Sequence, residues 1–394
     1  MGFELNLRLR GNNFIHRGSE RRKTNLLFVM IDLAPGGSER VVLDLARNLD
    51  RALFNVYVAF FSGGALHSAF SEVCKQLFQV SKKHGFDPAA MLQISKIIHS
   101  NSVDVINAHH YMPFVYSYPG SKIFHKRRLI YTEHSVPEVE AIASNKHKHF
   151  CNVMFSNTDK VIGVSWEIAD SFRKVFPIHS RKFANIANGI DIDRFATQVD
   201  RDEVRLQWGI RPEHFLIGTV ANFRKVKNHN CLIRAFDKLS TIYPHTRLVL
   251  VGRGYPEDSE NSEEEVRHLI EMYNLQDRVL LTGYREDIAS ILHMFDVFCL
   301  PSSSEGLPVS ILEAMAARVP VVGSNVRGIK EVILPEETGL LFPSDDQSGL
   351  VQALERLIKD RGLGDRLREN AYVYISKTHG LGQWISAYER LFSG

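Results

Sequence analysis

The 394-residue chain lacks any run of about 18 apolar residues, and its N-terminus lacks the apolar core and cleavage site of a signal peptide. These two absences argue against a membrane-spanning helix and against export. The apolar fraction of 44% and the charged fraction of 24% are typical of a soluble globular protein. We therefore expect a cytoplasmic protein, whose length suits two domains of roughly 150–200 residues.

Cysteine is scarce, with four residues and no CxxC pair, which predicts reduced structural thiols rather than disulfides or a zinc site. Histidine is more frequent, but His109-His110 and His147-x-His149 have no carboxylate or cysteine company in the sequence. Since a metal site needs several converging ligands, we predict no metal. The chain also lacks the G-x-x-x-x-G-K-[ST] motif and a strand-associated G-x-G-x-x-G, which weakens two common nucleotide-binding alternatives.

The net charge of +3 is unevenly distributed along the chain. Residues 1–190 contain 24 Lys and Arg against 15 Asp and Glu, whereas the remainder contains 24 against 30. Residues 1–23 are polar and basic without sustained periodicity, so we expect a partly disordered leader. Nucleic-acid binding is not favoured, because this basic part has no reading motif or interleaved aromatic platform.

Apolar, β-branched segments alternate with helical patterns in two successive series. The first series gives five strand candidates and the second gives five more: TNLLFVMIDL, FNVYVAFF, VDVINAHH, RLIYTEH and KVIGVS, then HFLIGTVAN, TRLVLVG, RVLLTG, VFCLPS and VPVVGSN. Such alternation predicts two doubly wound α/β domains with parallel sheets. Ligands bind at the carboxyl ends of such strands, so we expect an active site in a cleft between the two domains.

The segment SSSEGLPVSILEAM places Glu305 and Glu313 on either side of a predicted helix start at Pro308. The free N–H groups of Val309, Ser310 and Ile311 and the helix dipole would attract phosphate there. Glu313 could accept paired hydroxyls, such as those of a ribose. The alternative is that Glu313 is simply exposed on an amphipathic helix and Glu305 caps it, and the residues alone do not separate these interpretations.

The pattern E-G-L-P-x-S-x-L-E-A-M, with glutamates eight apart, resembles the E-x7-E motif of retaining glycosyltransferases of the GT-B fold, specifically glycosyltransferase family four (group 1). The resemblance implies that Glu313 binds the ribose of a nucleotide donor and that Glu305 lies near the donor sugar. It also implies phosphate binding at the helix start between them. The residues that would surround the phosphate and sugar there are Gly306, Leu307, Val309 and Ser310.

Further segments follow the order of that family. PGGSER resembles its glycine loop, which implies donor contacts at Gly36 and Gly37, and YTEHS resembles the strand end that bears an active-site histidine, here His134. NFRKVKNHN resembles its phosphate-binding segment, where Lys227 matches the family's lysine. The family's usual arginine position has Asn222, so we assign the guanidinium to Arg224.

Two other strand ends supply further candidate residues. Gly283, Tyr284 and Arg285 follow a strand and are candidates for main-chain contact with the base. His109 and His110 end another strand and are candidates for acceptor binding. IANGID resembles the family's interdomain turn, and the D-x-D pair within it, Asp191 and Asp193, is interpreted as structural because it lies away from the nucleotide-binding strand ends.

The resemblance therefore implies a retaining, metal-independent hexosyltransferase that uses a nucleotide sugar, with UDP favoured, as co-substrate and needs no cofactor. A glycan or lipid-linked acceptor is expected, in cell-surface glycan or glycolipid assembly. The expected divisions are a leader (1–23), an acceptor domain (24–190) joined by a C-terminal helix (about 376–394), and a donor domain (191–375). An epimerase or phosphorylase on the same fold and a non-catalytic binding module are the competing functions.

The basic N-terminal half also raises the possibility of reversible docking on the inner face of an anionic membrane. The cations concerned are Arg8, Arg10, Arg17, Arg21, Arg22 and Lys23 in the leader and Lys122, Lys126, Arg127 and Arg128 further along. Several cations near an anionic bilayer together give peripheral binding. The equally open alternative is a solvated tail and an ordinary surface loop.

Overall fold

The computed structural model describes residues 22–394 except 145–147, 177–179, 198 and 257. Most of the predicted leader, including Arg8, Arg10, Arg17 and Arg21, lies outside the described residues. The strands are β1 (Thr24–Asp32), β2 (Phe54–Ser62), β3 (Gln76–Gln79), β4 (Val105–His109), β5 (Arg128–Glu133), β6 (Lys160–Gly163), β7 (Phe183–Asn185), β8 (Phe215–Val220), β9 (Thr246–Val251), β10 (Val279–Gly283), β11 (Val297–Leu300), β12 (Val321–Ser324) and β13 (Leu340–Phe342).

The helices of the first half are α1 (Gly37–Asn48), α2 (His67–Val73), α3 (Pro88–Ser100), α4 (Tyr111–Tyr118), α5 (Val136–Ser144), α6 (Lys148–Asn157) and α7 (Trp166–Val175). A π-helical turn, Pro119–Phe124, follows α4 directly. The later helices are α8 (Ile192–Ala196), α9 (Arg201–Gln207), α10 (His229–Ile242), α11 (Glu263–Met272), α12 (Ile288–Met294), α13 (Val309–Ala316), α14 (Arg327–Lys330), α15 (Gln347–Lys359), α16 (Arg361–Thr378) and α17 (Leu381–Ser393).

The strands form two parallel sheets. The first has seven strands in the order β3-β2-β1-β4-β5-β6-β7, and the second has six in the order β10-β9-β8-β11-β12-β13. Central strands such as β4 and β11 are buried along their whole length, as expected for parallel sheets covered by helices on both faces. The predicted α/β fold with two doubly wound domains is confirmed.

The sequence did not reveal β3, β7 and β13. These strands lie at or near sheet edges and have only three or four residues each. A short edge strand pairs on one side and buries little apolar surface, so it leaves no long apolar run in the sequence. β3, with the sequence QLFQ and exposed ends, is an example.

Helix α17 packs on the first sheet although it follows the second in sequence. Trp384, Ile385, Tyr388 and Phe392 belong to the apolar cluster on the β1–β2 face of that sheet. Arg128, at the start of β5, donates hydrogen bonds from its guanidinium to the carbonyls of Leu391 and Phe392, at 2.8 and 3.0 Å. The chain therefore crosses between the domains twice, and Arg128 of the predicted basic cluster has a structural role.

Neither α1 nor α13 has a side-chain cap at its start. The N-cap of α1 is Gly36, and the hydroxyl of Ser38, inside the first turn, donates to Glu39. Pro308 is the N-cap of α13 rather than its first residue, and the Ile311 N–H bonds the Pro308 carbonyl at 3.2 Å. The N-terminal N–H groups of α13 predicted to face a ligand are therefore those of Val309 and Ser310.

No helix among the described residues is long and apolar enough to cross a bilayer.

Candidate active site

The carboxyl ends of the two sheets face each other and are already in contact. A Cβ added at Gly306 would lie 1.9 Å from the carbonyl oxygen of His134, at the end of β5. Elsewhere along the cleft, the Asn222 side-chain amide donates to the Pro35 carbonyl at 3.4 Å. The Arg40 guanidinium reaches the Tyr284 hydroxyl, also at 3.4 Å. The glycine loop, the β5 end and the E-x7-E segment thus line one cleft, as the sequence predicted.

Glu305 is held by two donors on its own side of the cleft. Its Oε1 accepts hydrogen bonds from the Lys227 ammonium and the Ser302 hydroxyl, each at 2.6 Å. The Ser303 N–H donates to the Val226 carbonyl at 2.8 Å, which joins the loop after β8 to the loop after β11. Lys227 and Glu305, each predicted as a site residue and 78 residues apart in sequence, are therefore in direct contact.

Arg224 lies in the same loop as Lys227 but points to a different partner. Its Nε is 2.7 Å from Asp258 Oδ2, and its side chain is 48% exposed. Asn222, which occupies the family's usual arginine position, bonds across the cleft to the glycine loop. Arg224 must therefore leave Asp258, or bind with its free N–H groups, to meet a phosphate.

Glu313 is buried in α13 and borders a pocket of about 180 Å³, which is also lined by Gly189 and Ile190 of the interdomain turn. The pocket is also lined by Arg40, Arg194, Tyr284 and Val309. Burial raises the pKa of Glu313 to about 7, although the charges of Arg40 and Arg194 act in the opposite direction. A buried carboxyl beside a pocket needs hydrogen-bond donors, and sugar hydroxyls supply them. The structure excludes the alternative that Glu313 is an exposed residue of an amphipathic helix.

Asp191 lines this pocket too, while its Oδ1 accepts the Arg194 N–H at the start of α8. This cap at the start of α8 agrees with the interpretation of Asp191 as structural. The sequence argument placed the D-x-D pair away from the nucleotide-binding strand ends, but Asp191 lies in the same pocket as Glu313 and Tyr284.

His134 and His109 form a hydrogen-bonded pair between adjacent strands. His134 follows the end of β5, His109 ends β4, and the His109 Nδ1 lies 2.9 Å from the His134 Nε2 with the rings stacked. Burial lowers the pKa of His109 to about 3 and, together with the nearby His110 charge, lowers the pKa of His134 well below its usual value. Both rings are therefore neutral imidazoles near pH 7. His134 is partly exposed, whereas His109 is only 1% exposed and lies behind it.

His110 has carboxylate neighbours that its sequence context did not reveal. Its Nδ1 lies 2.7 Å from Glu138 Oε2 and 3.6 Å from Glu133 Oε1. Burial works against its protonation, but hydrogen bonds to Glu133 and Glu138 raise the pKa of His110 well above its usual value. The prediction that the pair lacks carboxylate company was wrong, because Glu133 and Glu138 come from β5 and α5.

His110, Glu133 and Glu138 offer ligand atoms within 4.8 Å of one another. The protein already supplies donors to these carboxylates. Glu133 Oε1 accepts the N–H groups of His134 and Ser135, its Oε2 accepts the Tyr131 hydroxyl, and Glu138 Oε1 accepts the Tyr111 N–H. A protonated His110 completes this arrangement as an ion-paired cluster.

The remaining predicted residues border the cleft in different ways. Gly283 has a positive φ of 69°, and its carbonyl accepts the Gly252 N–H, so two strand ends meet there. The guanidinium of Arg285 forms two hydrogen bonds to Asp287 and packs over Trp208. Gly36 lies against the Glu39 carboxylate, and Gly37 has open space around it. His110 begins α4 with a positive φ of 70°.

Sequence reasoning missed Arg40, Glu133 and Glu138. Arg40 closes the quoted glycine loop PGGSER, and its position one helical turn beyond Gly36 was the available signal. Glu133 precedes His134 in the quoted YTEHS, but its importance depends on His110, which only the strand pairing brings near.

Comparison with known proteins agrees with this geometry. Residues 35–194 match the family described as Glycosyltransferase Family 4, and residues 200–374 match Glycosyl transferases group 1. Together the two matches span most of the chain and include strands of both sheets. The chain belongs to glycosyltransferase family four (group 1). The predicted family is confirmed, and the protein is a glycosyltransferase.

Characterised relatives align along most of the chain. The N-acetyl-alpha-D-glucosaminyl L-malate synthase of Bacillus anthracis is 26% identical over 81% of this chain and 83% of its own. The UDP-Gal:alpha-D-GlcNAc-diphosphoundecaprenol alpha-1,3-galactosyltransferase of Escherichia coli is 23% identical over 88% of this chain and 90% of its own.

Solved structures share the whole fold. HepE of Anabaena, crystallised with UDP and glucose, superposes with a TM-score of 0.80 at 22% identity, over 94% of this chain and 99% of HepE. WaaG, a glycosyltransferase involved in lipopolysaccharide biosynthesis, superposes with a TM-score of 0.76 at 19% identity, over 94% of this chain and all of WaaG. The predicted GT-B fold is confirmed.

Proposed function

We propose that this glycosyltransferase moves a sugar from a UDP-sugar to an acceptor hydroxyl with retention of the anomeric configuration. The observation that carries the proposal is the junction at Gly306. There the Lys227–Glu305 pair of one domain adjoins His134 of the other, and the Glu313 pocket opens nearby. In this proposal Glu313 accepts the ribose hydroxyls and Gly283 and Tyr284 contact the base. The N-terminus of α13, together with Lys227 and Arg224 in the loop after β8, binds the diphosphate.

The state of Glu305 favours same-face attack over a double displacement. Glu305 is 8% exposed, and its Oε1 is ion-paired with Lys227, which reduces the nucleophilicity of this carboxylate. In the proposed reaction the bond from the anomeric carbon to the phosphate oxygen breaks, and the acceptor oxygen bonds to the same face. The leaving diphosphate takes the acceptor's proton, and Lys227 and Arg224 stabilise its developing charge.

Support for UDP and for a lipid-linked acceptor comes from the relatives. HepE was crystallised with UDP-glucose, and the related Escherichia coli enzyme is named for UDP-Gal and a diphosphoundecaprenol acceptor. Another relative, from Campylobacter jejuni, is also named for a diphospho-undecaprenol substrate. The Bacillus anthracis relative is named for L-malate, so a small acceptor is the competing outcome.

We also propose docking on an anionic membrane, through a surface that differs in part from the predicted one. Of the predicted cations, Lys122 is ion-paired with Asp159 and Arg128 binds α17, whereas Lys126 is exposed. Beside them Ile123 and Phe124 are 61% and 57% exposed. Exposed apolar residues flanked by cations favour insertion into a bilayer interface.

The test combines a donor panel with a stereochemical readout. The purified chain is incubated with UDP-glucose, UDP-galactose, UDP-N-acetylglucosamine and GDP-mannose, each with a lipid-linked saccharide or L-malate. Proton NMR then measures the anomeric coupling of the product. We expect an α-linked product from a UDP-sugar. A β-linked product would contradict retention, and conversion of a donor without acceptor would indicate an epimerase.

Two further arms test for a metal requirement and for a function without sugar transfer. An excess of chelator should leave transfer unchanged, and activity that is lost and then restored by magnesium or manganese would show a metal requirement and make Asp191 and Asp193 candidates again. Stabilisation by nucleotide without any turnover, across donors and acceptors, would favour a binding module. Absorbance from a lysine-bound pyridoxal group would favour a phosphorylase.

A further inference from the structure

Resting on the proposed function, in which His134 contacts the donor sugar, we propose that His109 is a positioning residue that fixes the tautomer of His134. The hydrogen bond between them assigns the N–H to Nδ1 of His109 and leaves Nε2 of His134 as the acceptor. His134 then carries its own proton on Nδ1 and can donate it to a sugar oxygen. His109 acts on the substrate only through His134.

Strand pairing fixes the distance between the two rings. β4 and β5 pair in parallel with His109 opposite Thr132, and His134 follows two residues later. The Nδ1 of His109 therefore meets the Nε2 of His134 at 2.9 Å with stacked rings, 26° apart. The His109 ring cannot turn freely, because it is only 1% exposed.

The unpartnered nitrogen of His109 decides the direction of the hydrogen bond. Each neutral imidazole has one N–H and one bare nitrogen. If His134 donated, His109 would have its proton on Nε2, which is buried and has no hydrogen-bond partner among the described residues. Buried N–H groups without an acceptor are rare, whereas an unused lone pair is better tolerated. The neighbouring ring of Phe28, whose centroid lies 5.7 Å away, offers at most a weak π acceptor.

The charged neighbour of the pair strengthens this assignment. The ring centroid of His110 lies 5.0 Å from that of His134. With Glu133 and Glu138 bonded to His110, the positive charge of this region lies on His110, and a second imidazolium at His134 is disfavoured. His134 thus stays a neutral donor whose orientation depends on His109.

The first test reads the tautomer directly. The full chain, labelled with ¹⁵N-histidine, is analysed by long-range proton–nitrogen correlation, and the His134→Asn variant identifies the His134 signals. We expect a protonated Nδ1 and a bare Nε2 in His134. A protonated Nε2 in the wild-type protein would overturn the proposal, whatever the activity.

The second test uses two His109 variants whose side chains have the same number and branching of heavy atoms. Asparagine places an N–H close to the position of the histidine Nδ1, whereas leucine places none there. We expect His109→Leu to lower kcat roughly tenfold, as for loss of one well-placed hydrogen bond, with a smaller change in donor KM. His109→Asn should retain most of kcat, and the His134 signals should change tautomer in the leucine variant alone.

The outcomes separate this inference from the proposed function. Equal losses of kcat in both variants would show a merely structural role and overturn the inference. A tautomer change in His109→Leu with unchanged kcat would support the positioning of His134 but contradict its contact with the donor. Measured melting temperatures of the two variants exclude a difference in folding as the cause.

Discussion

Gly306 and His134 lie in contact across the cleft, with the backbone of Gly306 against the His134 carbonyl. A Cβ at position 306 would lie 1.9 Å from that oxygen, well inside van der Waals contact. The β5 end of one domain and the E-x7-E segment of the other can therefore meet only if residue 306 has no side chain. This contact brings His134 close to the Lys227–Glu305 pair.

Gly306→Ala should therefore lower turnover by opposing closure of the cleft. Overpacking costs about 1–3 kcal/mol, which corresponds to a roughly 5- to 150-fold reduction in the closed population. Steady-state kinetics measure the loss, and Gly63→Ala, where an added Cβ meets nothing within 4 Å, is the matched control. Wild-type kcat in Gly306→Ala would show that the reaction does not need this contact.

Glu313→Ala should weaken UDP binding. The variant removes a buried carboxylate that, in the proposed function, accepts two ribose hydroxyls. Hydrogen bonds to charged groups contribute about 1.5–3 kcal/mol, so the UDP Kd should rise roughly ten- to hundredfold. Isothermal titration calorimetry measures this change, and Glu286→Ala, another residue of the same pocket, is the control. Unchanged affinity in a folded Glu313→Ala variant would refute the assignment.

The raised pKa of Glu313 predicts a pH dependence of stability. Burial raises this pKa from 4.5 to about 7, so the folded protein prefers the protonated carboxyl. The protonated Glu313 carboxyl makes its full contribution to the free energy of unfolding below its pKa in the unfolded chain. This contribution, up to about 3 kcal/mol, is lost as the pH rises through 7. Glu313→Gln should thus raise the melting temperature of the nucleotide-free protein more at pH 8 than at pH 5. An equal shift at both pH values would contradict the burial effect.

Much of the fold could be predicted because the informative strands are long and apolar. β1 and β2 have nine residues each and are mostly buried, so their sequences show the pattern directly. Helix α15 has a start signal that is visible in the sequence, because its N-cap Asp346 accepts two N–H groups. Edge strands such as β13 have too few residues to give such a pattern.

The candidate site could be predicted only in part, because its side chains interact across long sequence separations. The motif gave Glu305 and the loop gave Lys227, but their ion pair depends on how β8 and β11 lie side by side. The His110 cluster depends on β4 pairing with β5 and on α5 placing Glu138. No local sequence rule reports such contacts, so the charge of His110 and the burial of His109 were not foreseen.

Lys227→Ala should lower kcat more than it weakens donor binding, because the phosphate charge it meets grows in the transition state. The same change leaves the buried Glu305 without its cation, which adds to the loss. Lys225→Ala, an exposed lysine two residues earlier, is the matched control and should have nearly wild-type kinetics. A rise in KM with unchanged kcat would show that Lys227 contributes ground-state binding alone.

The same cation prediction extends to Arg224. Arg224→Ala should also lower kcat, by less than Lys227→Ala, because Arg224 is half exposed and shared with Asp258. Asn222→Ala tests the competing position, since Asn222 bonds the Pro35 carbonyl across the cleft. Kinetic constants of the two variants decide between them. If Arg224→Ala were fully active and Asn222→Ala inactive, the cation would be wrongly assigned.

The chain should co-sediment with vesicles that contain anionic lipid and not with neutral vesicles, and raised salt should release it. Each cation near an anionic surface contributes on the order of 1 kcal/mol, attenuated beyond a Debye length of about 8–10 Å. Phe124→Ser should reduce binding to anionic vesicles, because the Phe124 side chain is 57% exposed and available to the bilayer interface. Leu206→Ser is the matched control, since Leu206 is 77% exposed but lies in α9, outside the first sheet's domain. Equal binding to neutral and anionic vesicles would contradict electrostatic docking. Equal losses of binding in Phe124→Ser and Leu206→Ser would show that the surface around Phe124 does not contact the membrane.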